Sequence, residues 1–317
     1  MDIKTNWTRR FFRFGLKTFF VVTTVFCVWF GVLKTQADRQ ASVVERVRHL
    51  YGHCRYDFEF SKSGKYDPAG ESDVPRFLLN LLGVNFFHDV VEVQLFRSDK
   101  HQYGFILDGG SIRVFDNTPR YFGTGALENA TEVIDDLLTL ESLRIVSLPA
   151  MEDLDSIFED RLSKLKHLEK ITILRGGDLT DRGIASLKDL KKLKSISIEG
   201  TKIGDASLEV FGDMKQMEFL YLSGHAFSDD GVEQLAGLDE LGFLCIDGPK
   251  PKLNLGLMSF FSSAKRDTSA TSEVSDKSLK ELLRLKKLRV LSVFRTQTTD
   301  AMGGEFQARI PGIRVIQ

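Results

Sequence analysis

From residue 137 to 317 the chain keeps one hydrophobic rhythm. In the clearest copy Leu190, Leu193, Ile196 and Ile198 give L-x-x-L-x-x-I-x-I, followed by Thr201 to Asp205 and then Leu208 and Phe211. Leu165, Leu168, Ile171 and Ile173 precede it, and Met214, Met217, Leu220 and Leu222 follow. Leu238, Leu241, Leu244 and Ile246 come next, then Leu285, Leu288, Leu291 and Val293. Leu140, Leu143, Val146 and Leu148 begin an irregular earlier copy, and Ile310, Ile313 and Val315 repeat the spacing at the end. Asp181, Asp205, Asp229, Asp276 and Asp300 keep step at intervals of 24, 24, 47 and 24 residues. A unit this short cannot bury an apolar face alone, so the copies must stack around one continuous core.

Within each unit the I-x-I segment predicts a short strand with its Ile side chains inward. Strands of successive units pair in parallel, and the segment after each Asp predicts a helix covering the sheet. Thr180-Asp181, Ser228-Asp229, Ser275-Asp276 and Thr299-Asp300 place a hydroxyl and a carboxylate where the first turn of that helix has unpaired amides. The five Asp residues are therefore expected to be structural helix caps rather than a catalytic or calcium-binding column.

The period breaks once. The 47-residue step holds 23 extra residues, and the insertion at 249-272 carries Leu253, Leu255, Leu257, Met258, Phe260 and Phe261. It leaves the chain beside an expected aromatic cluster. Strand residues flanking the inward Ile and Leu face the concave side: Lys170, Thr172 and Leu174; Ser195, Ser197 and Glu199; Phe219, Tyr221 and Ser223; Phe243, Cys245 and Asp247; Val290, Ser292 and Phe294. The partner-binding candidates are Phe219, Tyr221, Phe243, Asp247, Phe294 and Glu199, with the aromatic rings expected side by side, as an interface hot spot requires. The insertion either folds over these rings or extends the surface beside them.

The first 127 residues follow a different pattern. Between Lys17 and Lys34 sixteen residues, Thr18 to Leu33, carry no charge. This is short of the roughly 20 residues that span about 30 Å of hydrocarbon, but flanking lysines can snorkel and the bilayer can thin locally. Residues 18-34 are expected to be an uncleaved transmembrane anchor; Thr35-Gln36-Ala37 is a poor cleavage site, and a cleaved signal or a core helix are the alternatives. The basic 1-17 segment then lies in the cytoplasm and the repeats on the extracytoplasmic, periplasmic side. Residues 35-127 read as a juxtamembrane helix from Ala37 to Tyr51 closed by Gly52, a half-buried strand from His53 to Phe60, a loop, a short helix from Pro75 to Leu82 and a strand from Val90 to Leu95. A hairpin around Asp108-Gly109-Gly110 completes this N-terminal cap, and residues 128-317 form the repeat domain.

The repeat motifs resemble the leucine-rich repeat family, in a bacterial T-D-x-G-L subtype close to the ribonuclease-inhibitor-like class. With the basic aromatic anchor and the Tyr56-Asp57-Phe58-Glu59 segment, the chain resembles the membrane-anchored leucine-rich repeat proteins of planctomycete-type bacteria. The resemblance implies a right-handed α/β solenoid, or horseshoe, with a parallel sheet on its concave face. It implies a surface for a protein or envelope partner and no enzyme activity. An F-box-like substrate receptor of a ubiquitin ligase is the alternative, without a Leu-Pro-led three-helix motif before the repeats to support it. A purely structural envelope scaffold is another.

Charge and chemistry narrow the classes. Net charge is −1, and the first 17 residues carry five Lys or Arg against Asp2, which leaves −5 for the rest. A nucleic-acid binder shows the opposite balance. Six His and three Cys are scattered, with no Gly-rich phosphate loop and no nucleophile elbow, so no cofactor, metal or small-molecule substrate is expected. His49, His53 and Cys54 lose metal-ligand spacing if Gly52 ends the helix between them. His167 and His225 read as surface residues. Cys54 and Cys245 are expected to be reduced, buried thiols.

Overall fold

The computed structural model describes residues 16–50, 52–95, 107–108, 111–112, 130–149, 151–173, 177–224, 227–248 and 272–317. Its centre is a nine-stranded sheet in the order β1-β2-β5-β6-β7-β8-β9-β10-β11. The strands are β1 His53–Tyr56, β2 Val90–Gln94, β5 Ile145–Leu148, β6 Lys170–Ile173, β7 Ser195–Glu199, β8 Phe219–Ser223, β9 Phe243–Cys245, β10 Val290–Ser292 and β11 Arg314–Ile316. β1 runs antiparallel to β2, and every other pairing is parallel.

Period-2 alternation sets the register. Ile171, Ile196, Leu220, Leu244 and Leu291 stand opposite one another on consecutive strands, each fully buried. A one-residue slip would turn this row to the opposite face of the sheet, away from the core, so the apolar pattern fixes the pairing. The covering helices are Ala130–Leu137 (α3), Leu154–Asp160 (α4), Asp181–Ala185 (α5), Asp205–Asp213 (α6), Asp229–Glu233 (α7), Asp276–Leu282 (α8) and Asp300–Arg309 (α9). Such short helices are unstable in isolation. They persist because Ile134, Phe158, Ile184, Leu208, Val232, Leu279 and Phe306, one from each, sink into one core that runs unbroken from Val43 to Ile313. Repeated strand–loop–helix units on a mostly parallel sheet make this an α/β solenoid.

The N-terminal region departs from expectation. The segments expected as an anchor and as a juxtamembrane helix are one helix, α1, from Leu16 to His49. The charges from Lys34 onward end the apolar run, but residues 34–41 contain neither Gly nor Pro, so nothing breaks the backbone. Among the described residues α1 is the one helix long and apolar enough to cross a membrane. Its first half is bare, with Phe19 to Trp29 exposed, while Val43, Val44 and Val47 enter the solenoid core. The lower half is pinned by Gln40, whose amide donates to the His88 carbonyl at 2.7 Å and accepts from the Val90 amide at 3.2 Å.

Gly52 does follow the helix, and its N–H donates to the Val47 carbonyl at 2.8 Å. A side chain there would meet the Gln94 carbonyl oxygen at 2.5 Å, so the close approach demands glycine. The strand expected from His53 to Phe60 stops at Tyr56. Glu59 Oε2 accepts from the Tyr56 amide at 2.8 Å and Asp57 Oδ1 from the Phe58 amide at 2.9 Å, which folds Asp57–Glu59 into a 3-10 turn. Arg55 is not on a solvent face either, being buried against Glu92. β2 is the entry strand of the solenoid, with Val93 opposite Val146. Of the expected hairpin, Leu107–Asp108 (β3) and Ser111–Ile112 (β4) pair antiparallel, and the remainder lies outside the described residues.

Candidate interaction surface on the sheet

Strand pairing lines up two rows of side chains on the face of the sheet that points away from the core. The first reads Arg55, Glu92, Ile145, Lys170, Ser195, Phe219, Phe243, Val290 and Arg314; the second reads Gln94, Ser147, Thr172, Ser197, Tyr221, Cys245, Ser292 and Ile316. The face therefore changes character along the solenoid: charged at the N-terminal end, small and hydroxylated in the middle, aromatic and apolar toward the C-terminal end.

At the charged end Arg55 donates to Glu92 at 2.8 Å, and its guanidinium lies 4.1 Å from the centre of the Tyr66 ring. Burial holds the Lys170 ammonium below the usual lysine range, with nearby Glu92 opposing the effect and Arg55 adding to it. Lys170 is half-buried in the first row, between Ile145 and Ser195.

At the aromatic end Phe219 and Phe243 stack with ring centres 4.2 Å apart and planes 13° from parallel. They cluster with Tyr221, Cys245 and Val290. Phe219 and Tyr221 are half-buried, whereas Phe243 is only 4% exposed and so serves as a fixed base for the stack rather than a free contact. Burial raises the Tyr221 phenol, with Cys245 adding, and likewise raises the Cys245 thiol, so both are neutral at ordinary pH.

Phe294 is not in this stack, contrary to the expected side-by-side arrangement. It lies past the end of β10 at Ser292, in the turn that follows, and is 44% exposed. Asp247 ties that end together, accepting from the Ser292 hydroxyl at 2.6 Å and the Phe294 amide at 3.0 Å, so its carboxylate is already engaged. Next to it Arg295 has φ 60°, at the position that Gly200 and Gly224 fill with φ 65° and 92° in earlier repeats. Its guanidinium lies 4.9 Å from the Phe294 ring centre. A non-glycine residue in the left-handed region is strained, and such strain concentrates at functional positions. Glu199 is half-buried at the end of β7. Leu174, His225 and the insertion before residue 272 lie outside the described residues.

The Asp column caps helices, but not its own. The hydroxyls of Thr180, Ser228 and Ser275 accept from the amides of Arg182, Gly231 and Lys277 in their own helices. Four of the five carboxylates reach forward instead. Asp181 accepts from the amides of Gly204 and Ser207 at 2.7 and 3.1 Å; Asp205 accepts from the Ser228 amide and hydroxyl, Asp229 from those of Ser275, and Asp276 from those of Thr299. The column is a set of staples between repeats. Sequence reading missed its first member, Asp155, which accepts from the Thr180 amide and hydroxyl and the Gly183 amide. Its 26-residue lead on Asp181 was the available signal. Among the described residues none donates a hydrogen bond to Asp300.

One further polar cluster was not legible. His88, 6% exposed, has Nδ1 2.9 Å from Asp57 Oδ1 and Nε2 2.6 Å from Ser72 Oγ. The linkage resembles a proton relay, but Ser72 Oγ also accepts from the Val74 amide and Asp57 caps the 3-10 turn. Phe58 packs edge-on to the imidazole at 4.6 Å. The arrangement satisfies both nitrogens of a buried ring and clamps the 61–75 loop to the cap. His167 is exposed, 2.9 Å from Lys192 Nζ, and His53 lies on β1, apart from His49 on α1. Among the described residues no group of three His, Cys, Asp or Glu is placed to hold a metal ion. Cys54 and Cys245 sit on β1 and β9, six strand spacings or about 29 Å apart, beyond any disulfide. Burial pushes the Cys54 thiol up to about 12.

No family model and no curated protein matches the chain. Among solved structures it is similar to internalin C2 of Listeria monocytogenes, at 19% identity and a TM-score of 0.34 over 57% of this chain and 63% of that one. It is also similar to an internalin F of the same species, at 15% identity and 0.34 over 57% and 56%. The chain thus matches less than two thirds of the length of either internalin.

Proposed function

We propose that the protein is a membrane-anchored interaction module that binds a protein or envelope partner on its concave sheet and performs no catalysis. Residues 18–34 cross the bilayer, 1–17 stay in the cytoplasm, 35–127 cap the solenoid and 128–317 carry the repeats on the extracytoplasmic side. The single supporting observation is the Phe219–Phe243 stack flanked by Tyr221, a rigid aromatic patch on the concave strands beside the Ser195 and Ser197 rows. Aromatic anchors held by packing lose little freedom on binding, which is why they dominate interfaces. The T-D-x-G-L subtype is supported by the staples: Gly183 and Gly231 stand where a side chain would collide with Asp155 and Asp205 of the preceding repeat. Kinship with the anchored proteins of planctomycete-type bacteria is our reading of anchor plus repeats.

The test uses a photo-crosslinking amino acid at Tyr221 in the full-length, membrane-inserted chain, with the same group at Lys188 on the convex side as the comparison. Adducts from Tyr221 that disappear with Phe219→Ser support the concave face; equal yields from both positions refute it. Phe243 is unsuited to this test, because removing a buried ring costs about 3–5 kcal/mol and unfolds the surface it is meant to report. A C-terminal accessibility tag reads the orientation, and a cytoplasmic C-terminus overturns it.

A further inference from the structure

We infer that α2, Arg76–Leu82, and the turn that follows it form a second membrane contact, lying in the bilayer interface beside α1; the inference rests on α1 being the anchor. The helix reads R-F-L-L-N-L-L, and it turns Phe77 and Leu81, one helical turn apart, outward. They are 68% and 73% exposed, more than any of the large apolar side chains on the bare half of α1, which range from 55% to 63%. A helix covering a water-soluble core would bury such a pair. Here Leu78, Leu79 and Leu82 are half-buried on the protein side, so α2 carries apolar side chains on both faces, with Arg76 and Asn80 exposed beside the outward pair.

Its place in the fold explains the second face. α2 packs on the turn Val84–Phe86, and that turn packs on α1. The Phe86 ring centre is 5.3 Å from that of Phe30, and Phe87 stacks edge-on against Phe86 at 5.1 Å. Phe30 and Leu33 are the half-buried residues of the otherwise bare segment, so the cap touches α1 inside the uncharged run. Phe30 precedes the last uncharged residue by three positions, about 4–5 Å of helix rise.

Hydrophobic thickness points the same way. Sixteen uncharged residues rise about 24 Å against roughly 30 Å of hydrocarbon. The deficit brings the membrane surface toward the cap, where Phe86, Phe87, Phe77 and Leu81 supply apolar surface at the required level. Interfacial helices bury their apolar side about 5–10 Å into the headgroup and acyl boundary, a depth that the exposed pair can reach. Two contacts, one spanning and one in the plane, would stop the horseshoe from swivelling about α1. The unbroken helix then sets which way the concave face looks.

Tryptophan quenching in vesicles of phosphatidylcholine and phosphatidylglycerol, brominated near the headgroup end of their acyl chains, tests this on the full-length chain. Trp7 and Trp29 are the natural tryptophans. In Trp7→Phe, quenching of Trp29 reports the anchor. In Trp7→Phe/Trp29→Phe, a Phe77→Trp probe is expected to lose most of its emission in brominated vesicles and to be shielded from iodide, while a Phe294→Trp probe is unaffected by the lipid. If Trp29 is quenched but the Phe77→Trp probe stays bright and as open to iodide as the Phe294→Trp probe, the interfacial contact is overturned and the anchor stands. If Trp29 itself stays bright, the anchor reading falls and this inference with it.

Discussion

Asp181 Oδ1 lies 2.7 Å from the backbone nitrogen of Gly204, so the carboxylate that opens one helix holds the entrance of the next. It also accepts from the amide and hydroxyl of Ser207, which is fully buried. The bond crosses the boundary between repeats, where a solenoid is most easily parted.

Asp181→Ala leaves those amides unpaired and is expected to cost about 1–3 kcal/mol, the desolvation of orphaned donors. Asp300→Ala, at a carboxylate with no donor among the described residues, should fall within about 0.5 kcal/mol of wild type. Urea denaturation of the two variants checks the contrast. Equal losses would return the column to the role of ordinary caps.

A more demanding expectation concerns Gly231. A methyl group there would stand 2.2 Å from Asp205 Oδ1, which holds the Ser228 amide and hydroxyl. Gly231→Ala should cost about 1–3 kcal/mol by expelling the carboxylate. In Asp205→Ala the methyl meets no carboxylate, so the double variant should be less destabilised than the sum, by about 0.5–3 kcal/mol. Additive losses in a double-mutant cycle would show that the glycine serves only its own helix.

The strand register and the stacking were legible because Ile171, Ile173, Ile196 and Ile198 alternate with polar residues at period two, and a one-residue slip would turn them out of the core. The direction of the Asp bonds was not. A carboxylate at a helix start can serve its own first turn or a neighbour's, and the choice depends on the spacing between stacked helices, which sequence does not carry. The continuity of α1 was hidden for a related reason: Lys34 and Asp38 end the apolar run but, four residues apart, they pair along one helix face. Within the candidate surface the Phe219–Phe243 pairing followed from register. Phe294 was misplaced because its side-chain parity matches the aromatic rows, while the strand itself ends before it, at Ser292.

The same staples predict an acid response. Burial pushes the Asp229 carboxyl up, but hydrogen bonds from Ser275 and Ser278 outweigh it and hold the group below the usual carboxylate value. A depressed folded-state value stabilises fully above the unfolded value, about 3.9, and that stability is lost as pH falls through the folded value. The stability gap between wild type and Asp229→Asn should therefore be constant near neutrality and shrink below about pH 4. Denaturation midpoints at a series of pH values measure it, and a gap independent of pH would remove Asp229 from the acid response.

The Asp57–His88–Ser72 linkage carries a prediction of a different kind. If the three residues are a clamp, a fluorophosphonate probe leaves Ser72 unmodified, while His88→Ala destabilises the cap by about 1–3 kcal/mol through the unpaired groups it leaves. Intact-mass analysis after probe treatment decides. Labelling that vanishes in Ser72→Ala would make the serine a nucleophile.

Arg295 offers the sharpest separation of stability from binding. Its φ of 60° occupies the left-handed region that Gly200 and Gly224 fill at the same step of earlier repeats, and its carbonyl oxygen would stand 2.1 Å from a methyl group added to Gly248. The backbone is thus held in place from the neighbouring strand, and the side chain bears the cost, about 1–2 kcal/mol for a residue with a Cβ. Arg295→Gly should recover much of that, less the contact with the Phe294 ring, worth about 0.5–1 kcal/mol at an exposed site. Thermal unfolding is expected to shift upward. If it does, and the crosslinking from Tyr221 is weakened, the strained arginine serves the partner; if crosslinking is untouched, the strain has no part in binding on this face.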